Sequence, residues 1–426
     1  MIRIMDYSTV PESEIFSRSS SSKDVSAPVA AIIADVRSRG DEALKQYTLR
    51  FDGVEILSIE VPRTEIEAAA KVVDKTFLEV LKKAADNIRA YHSRQVRKGF
   101  EIKQADGVVL GQKIIPVSVA GIYVPGGTAA YPSTVLMDTI PAKLAGVGQV
   151  VMVSPPGKNG KIGNDVLAAA YVAGVDRVFN VGGAQAIAAL AYGTQTIPKA
   201  DKIVGPGNIF VAEAKKQVSS EVGIDMIAGP SEILIISDGL SKPQVVAADM
   251  LSQAEHDRNA SAVLITTSSD LAEKVAVELE KQLSVLPREE IARDSIQTNG
   301  KIIITSSIEQ AIEISDRIAP EHLELCVDNP FDYLDRIRNA GSVFLGRNCP
   351  EALGDYMAGP NHTLPTSGTA RFSSPLSVDD FVKKYQYTYY TDKALSGIAD
   401  DIAFFARREG LEAHARSALV RKEVLR

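Results

Sequence analysis

The sequence is poor in the residues that would tie it to several common classes of function. It has no tryptophan, two cysteines and five histidines among its 426 residues. The widely spaced Cys326 and Cys349 predict reduced thiols, because a disulfide framework needs more cysteines at closer spacing. A site built on several imidazole groups must therefore use most of the five histidines.

The chain also lacks a basic excess, a long apolar run and an apolar N-terminal signal core. Its formal net charge is −7, so bulk electrostatics do not favour binding to nucleic acid. No apolar stretch reaches the roughly 20 residues that a membrane-spanning helix needs. We therefore expect no nucleic-acid partner, no membrane partner and a cytoplasmic location.

Alternating strand and helix patterns follow Val117 and predict an α/β fold. Two successive runs of similar length indicate two doubly wound units. Before them, capping-box patterns such as Thr64–Glu67 predict helices, and the serine-rich stretch 17–24 predicts a polar loop. The predicted domains are an N-terminal helical segment with short strands, a first α/β domain, a second α/β domain, and a site loop with a helical C-terminal tail, at 1–116, 117–232, 233–348 and 349–426.

Glycine-bearing loops follow three strands of the first α/β domain, at Val124–Gly127, Val181–Gln185 and Val204–Asn208. Ligands of doubly wound sheets bind beyond the carboxyl ends of the strands, near helix N-termini. None of the loops has the G-x-G-x-x-G pattern, so each alone indicates only a tight strand-to-helix turn. Three such loops at one edge predict a dinucleotide or phosphate site.

The stretch Ser241–Asp257 predicts a helix capped by Ser241, with Gln253 and His256 on one face. A solvated polar face is the simpler explanation of a lone Gln-x-x-His pair. The metal-site interpretation is strengthened by three later stretches that also carry imidazole or carboxylate groups, namely Glu321-His322, Asp355 with His362, and Glu409 with His414.

Each of these later stretches has its own simple interpretation. Glu321-His322 could form a loop ion pair, and Glu409 with His414 could lie on an exposed helical tail. An adjacent carboxylate and imidazole can also exchange protons near neutral pH. Gln253, His256, Asp355 and one further histidine would give zinc a mixed set of nitrogen and oxygen ligands.

Several long motifs resemble the signatures of the histidinol dehydrogenase family. They are GGAQAIAALAYGT, GPGNIFVAEAKKQV, DMLSQAEHD, IAPEHLEL, NAGSVFLG, PEALGDYMAGPNHTLPTSGTARFSSPLSVDDF and GLEAHA. The resemblance implies two Rossmann-like domains in a homodimer whose sites are shared between subunits. It also implies zinc- and NAD-dependent oxidation of L-histidinol to L-histidine through L-histidinal, by two NAD, in the last steps of histidine biosynthesis.

The resemblance further implies a role for each matching residue. Glu321 and His322 would be the acid–base residues. The cofactor NAD would contact Tyr123, Gln185 and Asn208. Zinc would be held by Gln253, His256, Asp355 and His414. The substrate would contact Ser231, His362 and Glu409, together with Gln253, His256, His322, Asp355 and His414.

Departures from the family pattern are Arg258, where proline is common, and Asn348-Cys349, where Tyr-Thr is more usual. Neither falls on an implied ligand, and His92 carries no implied role.

Three alternatives remain open from the sequence. They are a paralogue that oxidises another small alcohol, a zinc hydrolase that uses Glu321-His322 on water, and a catalytically inactive binding protein.

Overall fold

Two compact units make up the described part of the chain, which comprises residues 2–18, 24–126 and 131–424 of a computed structural model. The first unit joins Met1–Gln95 to Val117–Phe381, and the second joins Val96–Pro116 to Val382–Arg426. Gly127 of the first predicted glycine loop lies outside the described residues, as does most of the serine-rich stretch.

Strands and helices alternate along most of the first unit, as the sequence pattern predicted. Numbered in chain order through both units, they have the following bounds. The strands are β1 (Arg3–Asp6), β2 (Glu60–Val61), β3 (Phe100–Lys103), β4 (Val109–Pro116), β5 (Val119–Tyr123), β6 (Gln149–Ser154), β7 (Arg177–Asn180), β8 (Lys202–Val204), β9 (Gly223–Ile224), β10 (Glu232–Ser237), β11 (Ser261–Thr266), β12 (Lys301–Ile304), β13 (His322–Cys326), β14 (Ser342–Leu345) and β15 (Val382–Tyr389). The helices are α1 (Glu12–Ile15), α2 (Ser26–Arg39), α3 (Asp41–Asp52), α4 (Arg63–Val72), α5 (Lys75–His92), α6 (Pro132–Ala145), α7 (Asn164–Ala173), α8 (Gly183–Tyr192), α9 (Ile209–Val218), α10 (Pro243–Ala254), α11 (Ser269–Leu283), α12 (Glu289–Thr298), α13 (Ile308–Ile318), α14 (Phe331–Leu334), α15 (Glu351–Leu353), α16 (Asp392–Arg408) and α17 (Glu412–Val424).

The first unit contains two sheets with the same order of parallel strands. One sheet runs β2-β7-β6-β5-β8-β9 and the other runs β1-β12-β11-β10-β13-β14. If the strands are counted from β5 in one sheet and from β10 in the other, both read 3-2-1-4-5, which is the doubly wound order. The predicted pair of Rossmann-like units is confirmed. Each sheet gains one further edge strand from the N-terminal segment, because β2 pairs antiparallel with β7 and β1 pairs parallel with β12.

Both faces of each sheet are buried, which explains the nearly continuous apolar runs of the central strands. All of β10 is buried. Its side chains alternate, so that Ile233 and Ile235 join one core cluster and Leu234 and Ile236 join another.

No helix in the described ranges has the length and apolar character needed to cross a membrane.

Two predicted helix caps are wrong. Helix α4 begins at Arg63 after Pro62, so Thr64 lies inside the first turn and makes no cap. Helix α10 begins at Pro243, and the hydroxyl of Ser241 instead bonds to that of Ser237 at 2.9 Å. Pro243 takes the first position of α10, where its fixed φ suits the helix, and Pro62 takes the N-cap position of α4, which has no side-chain cap.

His92 closes helix α5 and is fully buried. Its Nδ1 lies 2.7 Å from Oε1 of Gln95, and burial lowers its pKa. These contacts place His92 in core packing.

The second unit pairs a three-stranded antiparallel sheet with two helices. The sheet order is β15-β4-β3. Helix α16 begins at Asp392, where the hydroxyl of Thr391 accepts a bond from the N–H of Ala394. Gly410, with a φ of 77°, separates α16 from α17.

A buried ion pair fixes the loop after β8. Lys215 on α9 pairs with Asp225, and their side chains are 2% and 1% exposed. The Lys215 ammonium also donates to the carbonyl of Gly205 at 3.0 Å, and the N–H of Gly205 donates to Asp225 at 2.8 Å. The glycine loop that begins at Val204 is therefore held from the protein interior.

Replacing Lys215 with methionine should lower the free energy of unfolding by about 3–5 kcal/mol, because Asp225 would be left buried and unpaired. Lys216→Met is the matched control, since that neighbouring side chain is 65% exposed and should change stability by less than about 0.5 kcal/mol. Chemical unfolding of both variants measures the difference. Equal losses would contradict the role given to the buried pair.

Candidate active site

Glu321 and His322 lie at the amino end of β13, beside the amino end of β10. The parallel register places Ile233 opposite His322, so the main chain of Glu232 reaches both side chains. The N–H of Glu232 donates to Oε2 of Glu321 at 2.8 Å. The carbonyl of Glu232 lies 3.0 Å from Nδ1 of His322. One residue of β10 therefore orients the whole acid–base pair.

The tautomer of His322 follows from this contact. A carbonyl oxygen can only accept a hydrogen bond, so Nδ1 must carry the proton and Nε2 must hold the free lone pair. Nε2 is buried with no hydrogen-bond partner among the described residues, and it lies 3.9 Å from Oδ1 of Asp355. Burial lowers the pKa of His322, although Asp355 opposes the shift. Burial thus favours the neutral ring, which presents Nε2 as a base.

Burial acts in the opposite direction on Glu321. It raises the pKa of this carboxyl well above its usual range, and the nearby carboxylates of Glu232, Asp355 and Glu351 raise it further. A carboxyl with a raised pKa gives a carboxylate that is a stronger base than an ordinary glutamate. The two adjacent side chains can therefore take different roles in proton transfer.

A set of metal-ligand atoms adjoins this pair. His256, Glu351 and Asp355 each place one such atom within 4.8 Å of the others. Gln253 lies on the last turn of α10, three residues before His256, and its Oε1 is buried with no hydrogen-bond partner in the described structure. A buried amide oxygen without a partner, one imidazole and two carboxylates fit a divalent ion with mixed nitrogen and oxygen ligands.

Glu351 is the member of this set that the sequence analysis missed. Its Oε2 accepts a bond from the hydroxyl of Ser252 at 2.8 Å, and its N–H donates to Oε1 of Glu324 at 2.7 Å. Burial, followed by the charge of Asp355, raises the pKa of Glu351 to about 7. The spacing of four residues from Glu351 to Asp355 was the available signal, because such residues share a helix face.

His362 and Ser231, two residues expected to contact the substrate, lie close to the acid–base pair and to Asp355. Nδ1 of His362 lies 3.7 Å from Oδ1 of Asp355, and Nε2 lies 3.4 Å from the hydroxyl of Thr134 on α6. Ser231 directly precedes β10 and is half-buried beside Glu232. These contacts bring the site loop, the second sheet and a helix of the first sheet together.

The three residues expected to contact NAD lie at the carboxyl edge of the first sheet. The hydroxyl of Tyr123 accepts the N–H of Gly183 at 3.1 Å, where α8 begins. Gln185 is buried in the first turn of α8, and its Oε1 has no hydrogen-bond partner among the described residues. Oδ1 of Asn208 caps α9 by accepting the N–H groups of Phe210 and Val211. Two helix N-termini therefore meet at this edge, which suits an anionic ligand.

Glu409 and His414 belong to the second unit. Glu409 ends helix α16, and His414 lies in the first turn of α17. Both side chains are exposed. Their predicted contacts with substrate and metal stay predictions.

A cavity of about 320 Å³ adjoins the metal-ligand atoms of His256 and Asp355. Helices α5 and α6 supply most of its other walls. The apolar lining includes Phe77, Leu81, Ile88, Leu136, Met137 and Met357. Apolar walls with a few convergent polar groups are typical of small-molecule sites.

The chain was compared with known proteins. The sequence model of the family described as histidinol dehydrogenase matches residues 16–422. A histidinol dehydrogenase of Clostridium acetobutylicum is 56% identical over 393 residues, which cover 92% of this chain and 91% of that protein. The chain belongs to the histidinol dehydrogenase family.

Further relatives agree with this membership. A histidinol dehydrogenase of Listeria innocua is 53% identical over 405 residues, with 95% of each chain covered. The crystal structure of histidinol dehydrogenase from Elizabethkingia anophelis superimposes with a TM-score of 0.93 at 39% identity, covering 100% of this chain and 98% of that one. Histidinol dehydrogenases are oxidoreductases that catalyse the final steps of histidine biosynthesis.

The two departures from the family pattern lie outside the ligand set described above. Arg258 pairs with Asp294 and with Glu290 on α12. Cys349 is half-buried with a free thiol, and its N–H donates to the carbonyl of Gly346. Arg258 thus ties the loop after α10 to a surface helix, a contact that proline could not make.

Gln253→Ala should weaken divalent metal binding, because the site would lose a ligand that has no other partner. Metal content after dialysis against a weak chelator measures the effect without relying on turnover. Gln244→Ala is the control, since Gln244 lies exposed in the first turn of the same helix. Equal metal retention by both variants would remove Gln253 from the ligand set.

Proposed function

We propose that this chain oxidises L-histidinol to L-histidine through L-histidinal, with two NAD and one zinc ion. The observation that carries the proposal is the buried Glu321–His322 pair, held by the main chain of Glu232 beside the metal-ligand atoms of His256 and Asp355. We also propose a cytoplasmic homodimer.

NAD would bind at the carboxyl edge of the first sheet, against Tyr123, Gln185 and Asn208. The unpartnered Oε1 of Gln185 supports this site, as do the N-termini of α8 and α9. Because Oδ1 of Asn208 already caps α9, its amide NH₂ is the group available to a ligand.

Zinc would be held by Gln253, His256 and Asp355, with His414 of the partner subunit as the fourth ligand. Glu351 would stay beside the metal and balance its charge, since Ser252 already binds one of its oxygens. When bound, zinc orients the substrate through its amine and imidazole nitrogens, and NAD accepts a hydride in each half-reaction.

The residues of this chain would carry out the proton transfers. Nε2 of His322 takes the alcohol proton in the first half-reaction, because Nδ1 is already committed to the carbonyl of Glu232. Glu321 activates water for the aldehyde half-reaction, where its raised pKa makes the carboxylate an effective base. Ser231, His362 and Glu409 would hold the substrate.

His322→Ala should slow NADH formation from L-histidinol by about 10²–10⁴-fold, the usual loss for a general base. Glu321→Gln should instead impair L-histidinal oxidation more than the alcohol step, because only the aldehyde half-reaction consumes water. NADH absorbance with each substrate separates the two effects. If Glu321→Gln oxidises L-histidinal at the wild-type rate, the assignment of water activation to Glu321 is wrong.

A mixing experiment tests whether His414 acts in the site of the partner subunit. His414→Ala and Gln253→Ala should each inactivate the homodimer. When the two are unfolded, mixed in equal amounts and refolded, half of the dimers are hybrids with one intact site. Activity should return to about a quarter of wild type by counting on a two-fold dimer.

The control for this experiment is each variant refolded alone, which should stay inactive. If His414 serves its own subunit, every site in the mixture carries one lesion. Activity would then remain at the level of the controls, and the shared site would be rejected.

A further inference from the structure

Glu232 links the acid–base pair to a second cavity. Its main chain holds Glu321 and His322, whereas its side chain lines a cavity of about 290 Å³. The same cavity is lined by four basic side chains, which are Arg18, Lys301, Arg317 and Arg371. Glu232 therefore links the acid–base pair to a group of charged side chains. These side chains contact neither the proposed NAD residues nor the metal-ligand set.

Arg18 is the basic residue that contacts Glu232. Its Nε lies 3.3 Å from Oε1 of Glu232, and its Nη2 donates to Oε2 at 3.4 Å. Nη2 also makes a short hydrogen bond to the carbonyl of Ile318. Ile318 lies three residues before Glu321, so one guanidinium group joins the segment that leads into the pair to Glu232, the residue that holds it.

The segment between Ile318 and Glu321 has little freedom. Ala319 adopts a left-handed φ of 51° and is fully buried, a conformation that costs roughly 1–3 kcal/mol outside glycine. Pro320 follows directly. A strained turn persists only when its surroundings hold it, and the bond from Arg18 to the carbonyl of Ile318 is one such restraint.

The side chain of Arg18 is itself held in place. The ammonium of Lys301 on β12 donates to the carbonyls of Glu14, Ile15 and Ser17 at 3.1, 3.0 and 2.6 Å. The N–H groups of the Lys301 ammonium are thus bonded to main-chain carbonyls of the segment that leads to Arg18. On the far side, a Cβ at Gly368 would approach Nη1 of Arg18 to 2.5 Å, so the guanidinium is closely packed against the site loop.

The remaining basic residues of the cavity do not share these contacts. Arg317 forms a two-point ion pair with Glu12, with both distances at 2.7 Å. Its side chain is 47% exposed. Burial raises the pKa of Glu232 to about 7, and Arg18 is the cation that opposes this shift. Arg18 and Arg317 thus line one cavity but pair with different carboxylates, Arg18 with Glu232 and Arg317 with Glu12.

We propose that Arg18 is a positioning residue for catalysis, which fixes Glu321 and His322 by bridging the side chain of Glu232 to the carbonyl of Ile318. This inference rests on the proton-transfer roles proposed above for the pair. Substrate, NAD and metal would not contact Arg18 itself, so loss of Arg18 should misplace the base and lower the rate far more than it weakens binding. A displacement of about 1 Å can cost roughly 10²-fold in rate.

The test compares Arg18→Met with Arg317→Met in the full-length enzyme. Arg18→Met should lower kcat and the single-turnover rate of NADH formation by about 10- to 100-fold, with KM for L-histidinol within about two-fold of wild type. Arg317→Met removes an arginine from the same cavity and should leave kcat within about two-fold. Arg18→Lys keeps the charge but not the planar fork, so its rate should fall between those of Arg18→Met and wild type.

A double variant shows whether Arg18 acts through the pair. In the His322→Ala background, Arg18→Met should have less than about a two-fold further effect, because the base that it positions is already absent. Additive losses would mean that Arg18 acts elsewhere and would overturn the proposal. Equal losses of kcat in Arg18→Met and Arg317→Met, or an unchanged kcat in Arg18→Met, would overturn it too.

The single variants keep this result apart from the proposed function. If His322→Ala and Glu321→Gln both retain wild-type rates, the roles of the pair fail, and the inference about Arg18 fails with them. If those two variants are impaired and Arg18→Met is not, only the inference about Arg18 fails. Should Arg18→Met not fold, Arg18→Lys carries the same comparison, since an unchanged kcat in that variant contradicts the need for a fork that reaches both partners.

Discussion

The main chain of Glu232 holds two ionisable side chains at once, and the candidate active site depends on this arrangement. Burial favours the neutral form of both Glu321 and His322. Neither group would keep a defined orientation without a fixed polar partner. The parallel register of β10 and β13 supplies that partner through Glu232. A slip of one residue would turn His322 to the other face of the sheet and separate it from Asp355.

The two sheets share a strand order but present different edges to the site. Tyr123 follows the usual rule for doubly wound sheets, because it lies at a carboxyl edge. Glu321 and His322 lie instead at the amino edge of the second sheet. The site loop joins these edges, since Asn361 donates to the carbonyl of Met137 on α6 and Thr366 accepts the N–H of Gly229. The carboxyl edge of one sheet and the amino edge of the other are thus tied to the same loop.

Much of the fold was predictable because the buried parallel strands read as uninterrupted apolar runs. Helix starts were less predictable. The pattern at Thr64 matched a capping box, yet Pro62 set the start of the helix without a cap. The histidines and carboxylates of the site could be named from motifs, whereas Glu351 was missed. The contacts of Glu232 and Arg18 could not be foreseen, because a bond between a side chain and a distant main chain depends on register, which residue types do not encode.

The pairing of β1 with β12 has a consequence for synthesis on the ribosome. Arg3 aligns with Lys301, so strand β1 waits for its partner until the residues up to Lys301 have been synthesised. At about 5–20 residues per second, that interval is roughly 15–60 s. Strand β4 waits similarly for β15, whose Val382 aligns with Pro116. The central strands of the first sheet meet no such delay. The nascent chain therefore exposes unpaired strand edges for many seconds, and chaperone binding is most favoured during this period.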